Sequence, residues 1–274
     1  MERGSRMART IYDRPTRSLL KDMLAEWALK PGETFAAQRA VAWFAEHYPK
    51  LKAGSIHAHL VQASTNDRSR LHHPSTRTTD DLLFKVGSRE YRLYEPASDP
   101  PPVHPAAKVQ VADGAGGTIS ITEEDDDAGV AIDAALAGSS QFALEKDLQR
   151  YLADNLQLIE PGLTLFQDEE ISGFEYPAGG GRRIDILAKD KAGGFVVLEL
   201  KVEKGYDRVV GQLLRYVNWV RKELAEPCQR VRGIIVCRSM SEDLILACAG
   251  IRDVELFEYR LQVSVSKVPA LELP

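Results

Sequence analysis

The chain has 274 residues, 44% hydrophobic and 27% charged, a globular composition that excludes a wholly disordered or collagen-like chain. No run of about 18 apolar residues is present, which leaves no transmembrane helix, and the N-terminal MERGSRMARTIYDRP lacks the apolar stretch of a secretory leader. Three cysteines (Cys228, Cys237, Cys248) without a CxxC spacing give neither a disulfide framework nor a zinc ribbon and point to a reducing, cytoplasmic setting.

The net charge of −5 hides a split. Residues 1–95 carry 16 Lys and Arg against 11 Asp and Glu, residues 96–140 carry 1 against 8, and residues 141–274 carry 18 against 21. A basic segment, an acidic spacer and a near-neutral segment describe two domains, 1–95 and 141–274, joined by a linker over 96–140. All 6 histidines (His47, His57, His59, His72, His73, His104) precede residue 105, so any chemistry in the second half proceeds without imidazole.

In chain order, Leu19, Leu20, Met23, Leu24 and Trp27 recur at helical spacing after Arg14-Pro15. Pro31-Gly32 ends that helix and Thr34 caps the next, whose apolar side is Phe35, Val41, Phe44 and Ala45. Ser55 opens a third helix through IHAHLVQA, and DLLFKV and EYRLYE alternate about Gly87-Ser88 as a hairpin. Three helices and then a hairpin is a winged-helix order, with the third helix in a major groove and the hairpin as the wing. The segment resembles the HARE-HTH-like winged-helix domains fused to restriction and DNA-repair proteins. On that reading His57 and His59 sit on the reading helix, and Arg68, Arg70, Arg77, Lys85, Arg89 and Arg92 supply phosphate-binding charge. The competing reading is a protein-interaction module with an ordinary solvated face. The following stretch holds Pro, Gly, Ser and the acidic run Glu123 to Asp127, a composition that cannot offset the entropy of ordering and reads as a solvated spacer.

The second domain carries the sharper pattern. RRIDILAK and GFVVLELK read as strands joined by AGG. Residues two apart on a strand share a face, so Glu199 and Lys201 project together, and Asp185 meets them across the hairpin. Two carboxylates hold Mg²⁺ while leaving waters in place, a metal lowers the pKa of an attacking water, and an ammonium stabilises developing negative charge. The Leu200 carbonyl between the two side chains is a further candidate ligand. An earlier helix in QFALEKDLQRYLADNLQ brings Glu145, whose alternative is a plain surface acid. A later helix in YDRVVGQLLRYVNWV places Gln212, Arg215, Tyr216 and Trp219 on one face; for Tyr216 and Trp219 the alternative is a core stripe. AGGGRR over 178–183 reads as a hairpin turn, and no GxxxxGK[ST] exists to support ATP use. RVRGIIVC, SEDLILACAG, VELFEYRL and LQVSVSKV continue as strand, helix, strand and strand.

Asp185, Glu199 and Lys201 form the D-x(n)-E-x-K pattern of the PD-(D/E)xK nuclease superfamily. The strings LEKDLQRYLADNL, RRIDILAKD, GFVVLELK and GQLLRYVNWV closely resemble the C-terminal nuclease domain of NucS/EndoMS-type endonucleases. The resemblance implies an α/β, restriction-endonuclease-like α/β/α core on a mixed sheet, beside a separate, mainly α winged-helix domain. It implies Asp185, Glu199, Glu145 and Leu200 at a Mg²⁺ ion (with Mn²⁺ as substitute), Lys201 as catalytic lysine and Gln212 as an orienting residue. Arg183, Arg215 and Tyr216 join His57, His59, Arg89 and Arg92 as expected DNA contacts. The N-terminal half does not resemble the β-rich domain of NucS, so mismatch recognition is not carried over. The expectation is a Mg²⁺-dependent endonuclease on double-stranded DNA, in restriction or phage defence, acting as a homodimer at least on DNA. The alternatives are a repair nuclease for mismatched or branched DNA and a DNA-binding regulator on an inactive nuclease fold.

Overall fold

The computed structural model describes residues 10–72, 76, 78–103, 145–169, 171–179, 181–205 and 208–261. Residues 104–140 of the expected linker, with its acidic run, Arg77, His73, and all but the first residue of LQVSVSKV lie outside the described residues.

The first unit runs α1 (Thr16–Trp27), β1 (Thr34–Ala36), α2 (Ala37–His47), α3 (Ala53–Ala63), β2 (Leu83–Gly87) and β3 (Glu90–Leu93). Leu19, Leu20, Met23, Phe44, Ile56 and Leu60 meet Leu83 and Tyr91 of the hairpin in one core. The sequence reading put Phe35 at the head of the second helix. Instead Thr34–Ala36 extend and pair antiparallel with β3, Phe35 opposite Tyr91, in a sheet ordered β1-β3-β2. The edge of the hairpin offers three residues a ladder that local periodicity does not reveal.

The second unit begins with helix α4 over 145–154. Its strands are β4 (Thr164–Leu165), β5 (Gln167–Asp168), β6 (Ile171–Ser172), β7 (Phe174–Pro177), β8 (Arg183–Lys189) and β9 (Phe195–Gly205). Then follow α5 (Arg208–Glu223), β10 (Val231–Met240), α6 (Glu242–Cys248) and β11 (Val254–Glu258). The main sheet is ordered β11-β10-β9-β8-β4, and β7 also pairs with β8. β9, β10 and β11 run parallel, while β8 is antiparallel to β9, β7 and β4. Alternation along β8, β9 and β10 gives the sheet two apolar faces. Leu187, Val197 and Ile235 meet Leu213, Val217 and Val220 of α5 and Leu244 of α6. Ile186, Leu198 and Ile234 meet Leu148 and Leu152 of α4. Helices on both faces of a mixed sheet make this unit the α/β core that the sequence pattern implies. Ser241 starts α6 by accepting a hydrogen bond from the Leu244 N–H at 3.0 Å.

The two units pack against each other through the helix expected to read DNA. Ala58 of α3 belongs to the same apolar cluster as Tyr176, Val217 and Leu224. Gly54 leaves room for Leu224: a Cβ there would stand 2.6 Å from its Cδ2 and 3.1 Å from the Glu223 carbonyl. His57 and His59 are 5% and 3% exposed, so the expectation that they face a major groove is not met here. Glu169, buried in the second unit, accepts hydrogen bonds from the Thr16 backbone N–H (2.8 Å) and hydroxyl (3.0 Å). It thereby caps α1 from 153 residues away, where the positive end of the helix dipole stabilises its charge. His59 Nε2 lies 3.7 Å from the same carboxylate. Lys52 pairs with Glu226 at 2.8 Å, and Arg183 donates to Ser69 at 3.3 Å.

The Glu169→Ala variant strands two buried donors of Thr16, an expected loss of about 1–3 kcal/mol in urea unfolding. An unchanged midpoint would show that the units are not joined through this cap.

Candidate active site

Asp185 and Glu199 come together because β8 and β9 are antiparallel with Ile186 opposite Leu198. The same register puts position 185 opposite position 199. Pairing is recorded from Lys189–Phe195 as far as that rung; beyond it the Leu200 N–H donates to Asp185 Oδ2 at 2.8 Å. Lys201, on the same face of β9 as Glu199, places Nζ 3.0 Å from Glu199 Oε1. Glu145, at the start of the described part of α4, lies 4.0 Å from that ammonium. The structure thus unites Glu145, Asp185, Glu199 and Lys201. Leu200 contributes its N–H to the carboxylate, while its side chain is buried in the core on the α4 side.

α5 supplies the other wall. Tyr216 hydrogen-bonds Gln212 and feels the charges of Glu199 and Asp185, which with burial hold its hydroxyl pKa at about 12. Tyr216 is buried, and Trp219 packs against the same cluster with its ring 6.3 Å from that of Tyr176. Tyr216 therefore takes part in both the core and the site. Arg215 beside it is exposed.

Two residues of the site escaped sequence reading. Gln149, buried one turn beyond Glu145, donates its amide to the Asp185 carbonyl at 2.8 Å and ties α4 to β8. Its i, i+4 relation to Glu145 was the available signal. Glu175 on β7 falls opposite position 185 when the β7–β8 register is continued, and its charge reaches Asp185. It is buried, has a left-handed backbone (φ 47°), and pairs with Arg183 Nε at 3.1 Å. Nothing local in FEYP announces this.

The electrostatics follow from burial. Glu199 is 0% exposed, and its carboxylate has the Lys201 ammonium 3.0 Å from Oε1, while Oε2 has no hydrogen-bond partner. Burial and the neighbouring Asp185 push its pKa well up. Burial also raises Asp185 to about 6 against the pull of Lys201. For Lys201, burial works to lower the pKa, but Glu199, Asp185 and Glu145 together outweigh it and raise it. One ammonium faces three carboxylates, so the pocket lacks positive charge. A divalent cation is the species that fits: two converging carboxylates, with Glu199 Oε2 unclaimed by a donor. Among the described residues no three His, Cys, Asp or Glu side chains are grouped to hold an ion. This is the sparse protein donor set from which Mg²⁺, retaining its waters, is usually held.

Several expected DNA contacts are engaged internally. Arg92 forms a two-pronged pair with Asp99 and lies over the Phe84 ring. Arg70 is fully buried against Asp81, and Lys85 pairs with Asp67 at 2.8 Å. Arg183 holds Glu175 and Ser69. Arg89, at the β2–β3 hairpin tip, is exposed. No helix among the described residues is long and apolar enough to cross a membrane.

Comparison with known proteins divides the chain in the same place. Residues 144–256 match the family model described as the Endonuclease NucS C-terminal domain, and residues 15–93 match one described as a domain of unknown function (DUF7669). Endonuclease NucS of Methanopyrus kandleri is 36% identical over 103 residues, 38% of this chain and 36% of that protein. The Frankia alni protein of the same name is 36% identical over 112 residues, 41% of this chain and 47% of its own. A repair endonuclease structure from Pyrococcus abyssi aligns at 28% identity and a TM-score of 0.34, covering 44% of this chain and 46% of that one. The chain spans between about a third and a half of the length of these relatives. The half of the chain that carries Asp185, Glu199 and Lys201 is the half similar to the NucS C-terminal domain.

Proposed function

We propose that this chain is a divalent-metal-dependent endonuclease that hydrolyses phosphodiester bonds in DNA. The observation that carries the reading is the convergence of Asp185 and Glu199 with Lys201, whose ammonium stands 3.0 Å from Glu199 in a buried pocket. The similarity of residues 144–256 to the NucS C-terminal domain supports it. Asp185 and Glu199, with the Leu200 carbonyl, would hold the cation, with Mg²⁺ the best match to the donors. When bound, the cation lowers the pKa of a water and neutralises charge on the phosphate. Lys201 keeps its proton, orients the attacking water and faces the charge that develops on the phosphoryl oxygens. Gln149 fixes the backbone of Asp185, and Gln212 with Tyr216 closes the α5 side.

A repair role is preferred to restriction or phage defence. The curated relatives from Methanopyrus kandleri, Pyrococcus horikoshii and Frankia alni are named Endonuclease NucS, and nothing in the chain selects a restriction role. An inactive regulator is disfavoured by the intact acid–acid–lysine set. The N-terminal unit has the α-β-α-α-β-β order of a winged helix, but it serves here as a module fixed to the nuclease unit rather than one that reads bases through α3. One chain carries one such site, so cutting both strands takes two copies on the DNA.

With Mg²⁺ and supercoiled plasmid, Asp185→Ala and Glu199→Ala are expected to show no cleavage, and EDTA to abolish that of the wild type. Retained cleavage in both variants rejects the assignment. Lys201→Ala is expected to lose about 10²–10³ in rate; a loss under about threefold would reduce Lys201 to a structural partner.

The charge imbalance gives a second expectation, independent of turnover. In EDTA, Glu199→Gln removes one of three carboxylates crowded on the Lys201 ammonium and, by relieving its repulsion with Asp185, should raise the thermal midpoint. Added Mg²⁺ should raise the thermal midpoint of the wild type and leave that of the variant unmoved.

A further inference from the structure

We propose that the crevice between the two units binds backbone phosphates of duplex DNA, through Arg89 of the first unit and Arg182 of the second. The proposal rests on the nuclease reading for its choice of anion. The crevice is lined by His57, Asp67, Lys85 and Arg89 on one side, with Asp67 held by Lys85, and by Gly179, Gly181 and Arg182 on the other.

The basic residues around it fall into two groups. Arg92, Arg70, Lys85 and Arg183 are each claimed by an acid: Asp99, Asp81, Asp67 and Glu175. Among the described residues, no acidic side chain pairs with Arg89 or Arg182, and both are exposed. Two such guanidiniums at the rim of one crevice leave their donors to solvent. A phosphate at its mouth can accept from both, and planar guanidinium forks suit phosphate oxygens.

The crevice is narrow, with a volume of about 20 Å³, so the phosphate sits at its mouth. Arg89 sits at the hairpin tip with φ 64°, and its carbonyl is held by the Ala37 N–H at 2.8 Å. Its guanidinium reaches the glycine turn so closely that a Cβ on Gly179 (φ 77°) would stand 2.6 Å from Nη2. A Cβ on Gly181 would meet nothing within 4 Å, so the turn leaves the entrance open. Burial and then the Arg89 charge lower the pKa of His57 on that wall.

Position selects DNA over an acidic protein segment. Arg182 precedes Asp185 by three residues of strand, roughly 10 Å, or about three base steps of duplex at ~3.4 Å each. A duplex whose scissile phosphate lies at Asp185 and Glu199 therefore carries neighbouring phosphates to the crevice. In this role the N-terminal unit adds one wall of the substrate channel instead of a reading helix.

The test uses the full chain and a fluorescent duplex, with Ca²⁺ in place of Mg²⁺, titrated across salt. Arg89→Gln and Arg182→Gln are each expected to reduce the slope of log affinity against log salt by about 0.9, and the double variant by about 1.8. Arg89→Lys with Arg182→Lys keeps the charge and should restore most of the slope. Thermal midpoints with and without Ca²⁺ confirm beforehand that fold and metal site are intact. A double glutamine variant with the wild-type slope and affinity overturns the proposal. A wild type that binds DNA with the expected slope but never cleaves it would overturn the nuclease reading and leave the crevice site standing.

Discussion

Three carboxylates share one ammonium at the end of the β8–β9 ladder, and the local structure is arranged around that imbalance. Asp185 takes the Leu200 N–H, Glu199 takes the lysine, and Gln149 pins the backbone from α4. None of these contacts supplies the missing positive charge. Burial of Glu199 raises the cost of its ionised form, because desolvation penalises a charge unless it is fully paired. The fold thus keeps a destabilised constellation and relies on the packed sheet around it, where Val197, Leu187 and Ile235 lie on the same face under α5. Such a site trades stability for the convergence of charge that a cation would neutralise.

The second constraint is the fate of α3. Its sequence has the small and apolar residues that a packed helix needs, and the surface that accepts it consists of β7, α5 and the Leu224 turn. Once Ala58 enters the second unit's core and Glu169 caps α1, the first unit is no longer a bead on a tether. His57 and His59 lie in the interface, and the hairpin tip is brought to the glycine turn that leads into Asp185. A positive segment charge is then a poor guide to DNA contact. What matters is which basic groups remain after Asp67, Asp81 and Asp99 have taken their partners.

Much of the second half was legible from residue order. Period-two alternation in RRIDILAK and GFVVLELK fixes two strands, and strand geometry alone puts Glu199 and Lys201 on one face. Helical spacing places Gln212 and Tyr216 together, and the D-x(n)-E-x-K string names the chemistry. These features are local, so a one-dimensional pattern records them. The helix and hairpin boundaries of the first unit follow from the same periodicity, apart from β1, whose three residues are a strand only because β3 offers them an edge.

Only tertiary structure decided the rest, because each remaining question concerned partners far apart in sequence. Glu169 meets Thr16 across 153 residues, and Arg183 meets Ser69 across 114. Glu175 joins the site through a β7–β8 register and a left-handed backbone that its neighbours in the chain do not signal. Arg89 and Arg92 are alike on paper: two arginines of one hairpin in a basic segment. The structure separates them, since Asp99 folds back onto Arg92 while Arg89 points across the crevice to Gly179. Sequence determined which groups are available for chemistry. The fold determined which of them are neutralised, because ion pairing and burial depend on distance in space and not on order along the chain.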